Sequence, residues 1–382
     1  MGKKICYIAT LGTTIESFFV EQLRTLVAAG FDVAVICSPD IPDLAEKLGS
    51  RVRYLPVSIP RGVSFLGMLR ATREIRAILH AERFDLVQYS TPNAAFCASW
   101  AARRERVPVR NYHLMGLRYL GSHGLMRRVL KGIEKLSCRW STHIECVSPS
   151  NLRLGIEEGL FDERKACVVW NGSSGGVDLH EYDSSNREAY RREIREKYGI
   201  APDAFVFGFV GRITRDKGIN ELLEAFERLE KGTLLMVGRI EGEESLDAGL
   251  LERARQNPRV IFTGQVPEDE VKKMDCAMDV LMLPSYREGF GNAIIEAAAM
   301  GTPAIVSDIP GPIDAISEGV TGLKVPVKDA AALQRAMSDC MDGTVKLSGD
   351  ACVDYVKNAF DSEELCRRIV ERKKWLLDGR EG

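Results

Sequence analysis

The chain has 382 residues, 45% of them apolar and 28% charged, with 52 Lys plus Arg against 54 Asp plus Glu for a net charge of −2. That length suits two domains, the balance is that of a globular chain, and the near-zero charge argues against a nucleic-acid binder. No apolar run reaches the roughly 18 residues of a spanning helix, and Glu16 follows Lys3 and Lys4 too soon for a secretory leader.

In chain order, Ile5 to Ala9 reads as a buried strand ending at Gly12-Thr13-Thr14. Residues 15–29 carry Phe18, Phe19, Leu23, Leu26 and Val27 at helical spacing, and Gly30 ends that helix. Asp32 to Cys37, Val52 to Val57, Leu86 to Tyr89, Val107 to Asn111, Ile144 to Val147 and Cys167 to Trp170 are further predicted strands, mostly separated by helical segments. Residues 117–140 form a basic amphipathic segment. Met126, Val129, Ile133, Leu136 and Trp140 recur every three or four residues among Arg118, Arg127, Arg128, Lys131, Lys135 and Arg139, with Glu134 the only acid. Such a stripe fits either the domain's own sheet or a membrane surface. Residues 1–180 carry 24 Lys plus Arg against 17 Asp plus Glu, so the positive charge is concentrated in the first half.

Asn171 to Gly176 and the polar stretch up to Tyr198 read as an interdomain connection. The second half then repeats the alternation. Its predicted strands are Phe205 to Val210, Leu234 to Val237, Val260 to Phe262, Val280 to Leu283, Ala304 to Val306 and Leu323 to Val325. Helices are expected near 220–230, 246–256, 268–276, 292–300 and 330–341. Alternation of this kind predicts parallel sheets covered on both faces. The expected fold is α/β, two doubly wound domains in tandem that face each other across a cleft, with ligands beyond the carboxyl ends of the strands. The ten cysteines lack C-x-x-C pairs and metal-ligand spacing, so free buried thiols are expected.

Two segments carry chemistry. Gly211-Arg212 and Asp216-Lys217-Gly218 follow a strand and precede a helix, and their two cations could grip one diphosphate. The second runs from Pro284 through Glu288-Gly289-Phe290-Gly291-Asn292 to Glu296. Its glycines allow close backbone approach, and the helix starting near Asn292 offers its positive end to an anion. Glu288 and Glu296 are too far apart along that helix for a close acid–base dyad. They suit the two ends of an elongated ligand.

Together these segments resemble the retaining glycosyltransferases of family 4, which have the GT-B fold. The resemblance takes in Leu235-Met-Val-Gly238, Phe262-Thr-Gly264, Leu283-Pro-Ser285, the E-x7-E block from Glu288 to Glu296, Gly301-Thr-Pro303, Glu318-Gly319 and Gly322. In the first half it is carried by Gly12, His113, Val147-Ser148 and Gly176-Val177-Asp178. The match looks nearest to bacterial enzymes that assemble capsule, O-antigen or other surface glycans.

The resemblance implies an acceptor-binding Rossmann-like domain over 1–180, joined by a C-terminal helix near 362–378, and a donor-binding one over 181–361. Arg212, Lys217, Asn292, Ala293 and Gly12 would meet the donor diphosphate. Glu288 and His113 would be catalytic, and Gly289, Phe290 and Gly291 would lie at the transferred sugar. Glu296, Gln265 and Val266 would hold the nucleoside. No Asp-x-Asp pair stands ready for a divalent ion, so no metal and no cofactor are expected, the nucleotide-sugar being a co-substrate. The implied reaction is retaining transfer of a hexosyl or N-acetylhexosaminyl group from a UDP-sugar to a polyprenyl-diphosphate-linked glycan. The expected location is cytoplasmic, peripheral on the anionic inner face of the membrane. A nucleotide-sugar epimerase of the same fold, or a transferase with a soluble acceptor, is the alternative.

Overall fold

The computed structural model describes residues 2–62 and 64–379. The chain forms two compact units, Met1–Gly175 with Ser362–Gly382, and Gly176–Asp361. The first unit therefore ends before the expected boundary at 180.

In the first unit the strands are β1 (Lys4–Leu11), β2 (Asp32–Ser38), β3 (Val52–Tyr54), β4 (Leu86–Ser90), β5 (Val109–Leu114), β6 (His143–Cys146) and β7 (Ala166–Val168). The helices are α1 (Gly12–Ala28), α2 (Leu44–Leu48), α3 (Phe65–Glu82), α4 (Pro92–Arg104), α5 (Gly124–Trp140) and α6 (Pro149–Glu157). All pairings are parallel, in the order β3-β2-β1-β4-β5-β6-β7. The interior residues of β1 are buried throughout, as in a sheet covered on both faces. On one face α1 packs Ile15, Phe19, Leu23 and Leu26 against it, and α3, α4 and α5 cover the other.

The second unit has β8 (Val206–Val210), β9 (Thr233–Val237), β10 (Val260–Gly264), β11 (Val280–Leu283), β12 (Ala304–Ser307) and β13 (Gly322–Val325). Its helices are α7 (Arg187–Lys197), α8 (Ile219–Glu227), α9 (Ala248–Gln256), α10 (Glu268–Ala277), α11 (Asn292–Ala299), α12 (Ala330–Met341) and α13 (Gly349–Ala359). The parallel sheet runs β10-β9-β8-β11-β12-β13. The chain then returns to the first unit as α14 (Ser362–Leu377), whose Val370 and Leu376 join the α1 side of the core.

Several expected elements shift, and three of the shifts bear on expected site residues or on the basic segment. Helix α1 begins at Gly12 rather than near 15, because the Asp40 carboxylate accepts the Gly12 N–H at 2.5 Å and the Thr13 N–H at 3.4 Å. Gly12 thus lies in the helix and not in a loop. The strand expected over 107–111 pairs only from Val109, since Pro108 has no N–H for the ladder, and it runs on to Leu114. His113 is therefore inside β5 and not beyond its end. The basic segment is helical from Gly124 only, after a short 3-10 turn over Arg118–Gly121.

That helix also resolves the direction of its stripe. Leu125, Met126, Val129 and Leu136 are exposed, while Glu134, Ser137 and Cys138 face inward. Ile133 and Trp140 are half-buried, with Trp140 against the Phe96 ring. All ten cysteines are free, and all but the half-buried Cys167 are buried. Among the described residues no helix is long and apolar enough to cross a membrane.

Candidate active site

In a doubly wound sheet the ligand crevice lies beyond the carboxyl ends of the strands where the order reverses. In the second unit that point is between β8 and β11, and both chemical segments follow these two strands. Beyond β8, Gly211 leads into Arg212, and Arg215–Lys217 form a 3-10 turn closed by Gly218 in the left-handed region. A Cβ on Gly218 would stand 2.1 Å from the Pro284 carbonyl oxygen, so glycine is what lets the first loop touch the second.

The loops are fastened at several points. The Tyr286 N–H donates to the Asp216 carbonyl at 2.8 Å, and Arg287 pairs with the Asp216 carboxylate at 3.1 Å. The Tyr286 hydroxyl lies 2.7 and 2.8 Å from the two Glu221 oxygens, and the Lys328 ammonium sits 4.6 Å from the centre of its ring. These contacts bring together two of the expected site residues: Lys217 Nζ meets Glu288 Oε1 at 2.5 Å. Ser285 Oγ donates to the same oxygen at 2.8 Å.

Arg212 is separate from that pair. It is 60% exposed and reaches Glu241 at 3.3 Å, while Arg239 holds the other oxygen of Glu241 at 2.6 Å. The backbone beneath is laced: Ile213 N–H donates to Arg239, and Glu241 N–H to Ile213, at 2.9 and 3.1 Å. Arg212 and Glu241 thus project from two paired segments.

Gly291 adopts a positive φ of 94° as the N-cap of α11, and no acidic side chain occupies the first turn. Asn292 and Ala293 stand at the positive end of that helix. The Phe290 ring turns inward onto Phe360, 5.3 Å away, so only its backbone can serve a ligand. Glu296 lies further along α11. Burial, then the Glu268 and Glu181 carboxylates, push its carboxyl up to about 7. Glu268 opens α10 directly after the exposed Gln265 and half-buried Val266, so the nucleoside candidates share one neighbourhood. Beside them Asp275 is buried with both oxygens unpartnered, and burial holds its carboxyl well above the ordinary range.

Sequence reasoning missed Glu221 and Glu241, which hold Tyr286 and Arg212, and it missed Gly311. A Cβ on Gly311 would stand 2.5 Å from the Gly289 carbonyl oxygen. The Pro310-Gly311-Pro312 run after a predicted strand was the available signal for it. The two acids give none, since their partners are 29 and 65 residues away.

In the first unit the candidates are enclosed. The Gly12 N–H is held by Asp40, a carboxylate standing where the resemblance puts a phosphate. His113 is 8% exposed, edge-on to Phe19, with Nε2 unpartnered. Burial lowers its pKa to about 4, so the imidazole is neutral at pH 7. Nearby, Lys373 of α14 pairs with Glu145 of β6 at 2.6 Å, fully buried. Burial opposes ionisation of Glu145, but Lys373 outweighs it and holds the carboxyl at about 2. Among the described residues no group of three or more His, Cys, Asp or Glu side chains could hold a metal ion.

Residues 190–374 match the family described as Glycosyl transferases group 1, and residues 13–172 match the Glycosyl transferase 4-like domain. The capsular polysaccharide biosynthesis glycosyltransferase CapM of Staphylococcus aureus is 31% identical over 388 residues, covering 100% of this chain and 99% of that protein. The chain belongs to the group 1 glycosyltransferases. This glycosyltransferase is also 23% identical to the UDP-Gal:alpha-D-GlcNAc-diphosphoundecaprenol alpha-1,3-galactosyltransferase of Escherichia coli, over 95% of this chain and 93% of the relative. Among solved structures, Anabaena HepE in complex with UDP and glucose superposes with a TM-score of 0.78 at 20% identity, covering 97% of this chain and 99% of that one. The fold is GT-B, as the resemblance implied.

Proposed function

We propose that this glycosyltransferase moves a sugar from a UDP-sugar, with retention and without a metal ion, to a glycan carried on a polyprenyl diphosphate. The product would enter a bacterial capsule, O-antigen or related surface glycan. The observation that carries the reading is the Lys217–Glu288 contact of 2.5 Å, which joins the loops beyond β8 and β11. The Escherichia coli relative, named for a UDP-sugar and a diphosphoundecaprenol acceptor, supports the choice of donor and acceptor.

In this account Lys217 keeps Glu288 with one N–H and offers its other donors to the diphosphate. Arg212 exchanges Glu241 for phosphate oxygens, and the amides of Asn292 and Ala293 receive the distal phosphate. Gly12 joins only by exchanging Asp40 for phosphate. Glu288 accepts a hydroxyl of the transferred sugar beside the Gly289–Gly291 backbone. Glu296, ionised, accepts the ribose hydroxyls, with Gln265 and Val266 flanking the base.

As the glycosidic bond breaks, negative charge grows on the leaving diphosphate. Two cations and a helix N-terminus stabilise it where a metal ion otherwise would. The acceptor hydroxyl attacks the anomeric carbon from the same face, and its proton passes to the leaving phosphate oxygen. His113, neutral, serves as a hydrogen-bonding group and not as an acid. The enzyme works in the cytoplasm, peripherally on the inner face of the membrane, where the acceptor's lipid is anchored.

The test incubates the protein with a panel of UDP-sugars in EDTA, with and without an undecaprenyl-diphosphate-linked acceptor, and reads the product anomer by NMR. The expected result is acceptor-dependent transfer with the donor's anomeric configuration. Isomerised UDP-sugar without acceptor would instead indicate an epimerase. Transfer to water-soluble acceptors alone would overturn the lipid-linked part.

A further inference from the structure

Helices α3, α4 and α5 lie side by side on one face of the first sheet, with α4 in the middle. Helix α3 ends at Glu82, just before β4, and α5 ends at Trp140, just before β6. Their amino-terminal ends are therefore at the carboxyl edge of the sheet. Neighbouring helix axes are separated by about 8–10 Å, which sets the two ends ~16–20 Å apart.

Both ends are apolar and bare. Phe65 and Leu66 open α3 and are 81% and 77% exposed. The Ser64 hydroxyl caps that helix by accepting the Gly67 N–H, so the two side chains stand on ordered backbone. Leu125 (75% exposed) and Met126 open α5, and Val129 follows one turn later. Single exposed leucines are ordinary. Among the described residues, six of the eight exposed large apolar side chains belong to these two helices, five of them in the first two turns, so this edge carries an apolar patch.

The unpaired charge on the outer face of α5 has one sign. Arg127 and Lys131 are paired with Glu158 at the end of α6. Arg128, Lys135 and Arg139 are exposed, and no ion pair engages them among the described residues. The one acid of α5, Glu134, is buried beside Tyr112. The outer face of α5 therefore carries cations and apolar side chains only. A second copy of the chain would match the apolar part, but a two-fold interface would set these cations against their own copies. An anionic lipid leaflet matches both.

We infer that this edge, together with the outer face of α5 that runs back from it, is a membrane-docking surface, in which Phe65, Leu66, Leu125, Met126 and Val129 enter the interface and Arg128, Lys135 and Arg139, along that face, meet lipid phosphates. Interfacial helices bury such a face while basic residues hold the headgroups. The docked edge is the carboxyl edge of the sheet, where parallel sheets bind ligands, so a lipid-borne acceptor would arrive beside it. The inference takes its purpose from the proposed lipid-linked acceptor, but docking needs neither acceptor nor donor.

The test sediments the full chain with vesicles of phosphatidylcholine, alone or mixed with phosphatidylglycerol, at low and high salt. UDP binding and thermal unfolding are measured in parallel. Wild type is expected to pellet only with phosphatidylglycerol and to be released by salt. Phe65→Ser/Leu66→Ser and Leu125→Ser/Met126→Ser should each lower partitioning about tenfold or more, and Arg128→Glu/Lys135→Glu/Arg139→Glu should abolish it. Unfolding and UDP binding should not move. Wild type left in the supernatant, apolar variants that pellet like wild type, or a dimer that Phe65→Ser/Leu66→Ser dissociates would each overturn the inference. Vesicle binding by a protein that takes up no UDP would support docking while overturning the donor assignment.

Discussion

The two units place their charges in opposite ways. In the second unit two separate pairs stand on loops beyond the sheet: Arg212–Glu241, 60% and 30% exposed, and Lys217–Glu288, 20% and 13% exposed. In the first, Glu145 and Lys373 are sealed between β6 and α14, while the apolar side chains of α5 stand outside. A charge pair open to solvent can exchange a partner for a ligand at small cost, because such pairs are worth only about 0–1 kcal/mol. A sealed pair cannot, because removing Lys373 leaves the buried Glu145 with only Arg372, 3.6 Å away, to balance it. Arg212–Glu241 is thus open to exchange, Lys217–Glu288 lies between the two extremes and can add a ligand to a pair it keeps, and the first unit's pair ties the returning α14 to the sheet.

The largest expected effect probes the sealed pair. Lys373→Met should destabilise the protein by about 3–5 kcal/mol in denaturant unfolding, whereas Lys373→Met with Glu145→Leu should recover most of that loss. A single variant as stable as wild type would show that the pair does not anchor α14.

The next effect separates the two glutamates of the second unit. Glu288→Gln should cut kcat by about 10²–10³, while Glu296→Gln should act mainly on the KM for donor. With its carboxyl at about 7 and binding through the ionised form, Glu296 should make UDP-sugar affinity rise as pH goes up. The gain between pH 6 and 8 is about tenfold, and Glu296→Gln should flatten it. A pH-independent affinity in wild type would remove Glu296 from the ribose.

The smallest effect concerns the inward face of α5. Burial raises the Glu134 carboxyl from its ordinary 4.5 to about 7. Between those values the folded chain holds a proton that the unfolded chain has lost. Stability should therefore fall as pH rises from about 4.5 to about 7 and stay lower above. Glu134→Gln should remove that fall and add roughly 2–3 kcal/mol at pH 8. Unchanged stability at pH 8 would mean that Glu134 is not the inward-facing acid described.

The same contrast explains what could be read in advance. The donor loops were legible because their glycines, cations and glutamates follow directly on strands and sit close together in sequence. Glu221, Glu241 and Gly311 were not, because only the folded sheet brings them to those loops. In α5 the spacing of Met126, Val129 and Leu136 defined a stripe, but periodicity does not say which face turns inward. Burial of Glu134, Ser137 and Cys138 decided that. At His113, Pro108 moved the strand and took the residue inside it.

The proposed function rests on the half-buried Lys217–Glu288 pair of the second unit acting as the donor clamp. Its most direct test is the turnover of Lys217→Ala against wild type, with UDP-sugar and a diphosphoundecaprenol-linked acceptor in EDTA, on protein whose unfolding midpoint is unchanged. The expected result is a loss of about 10²–10³ in kcat. Turnover within about threefold of wild type, a difference of under 1 kcal/mol, would contradict it.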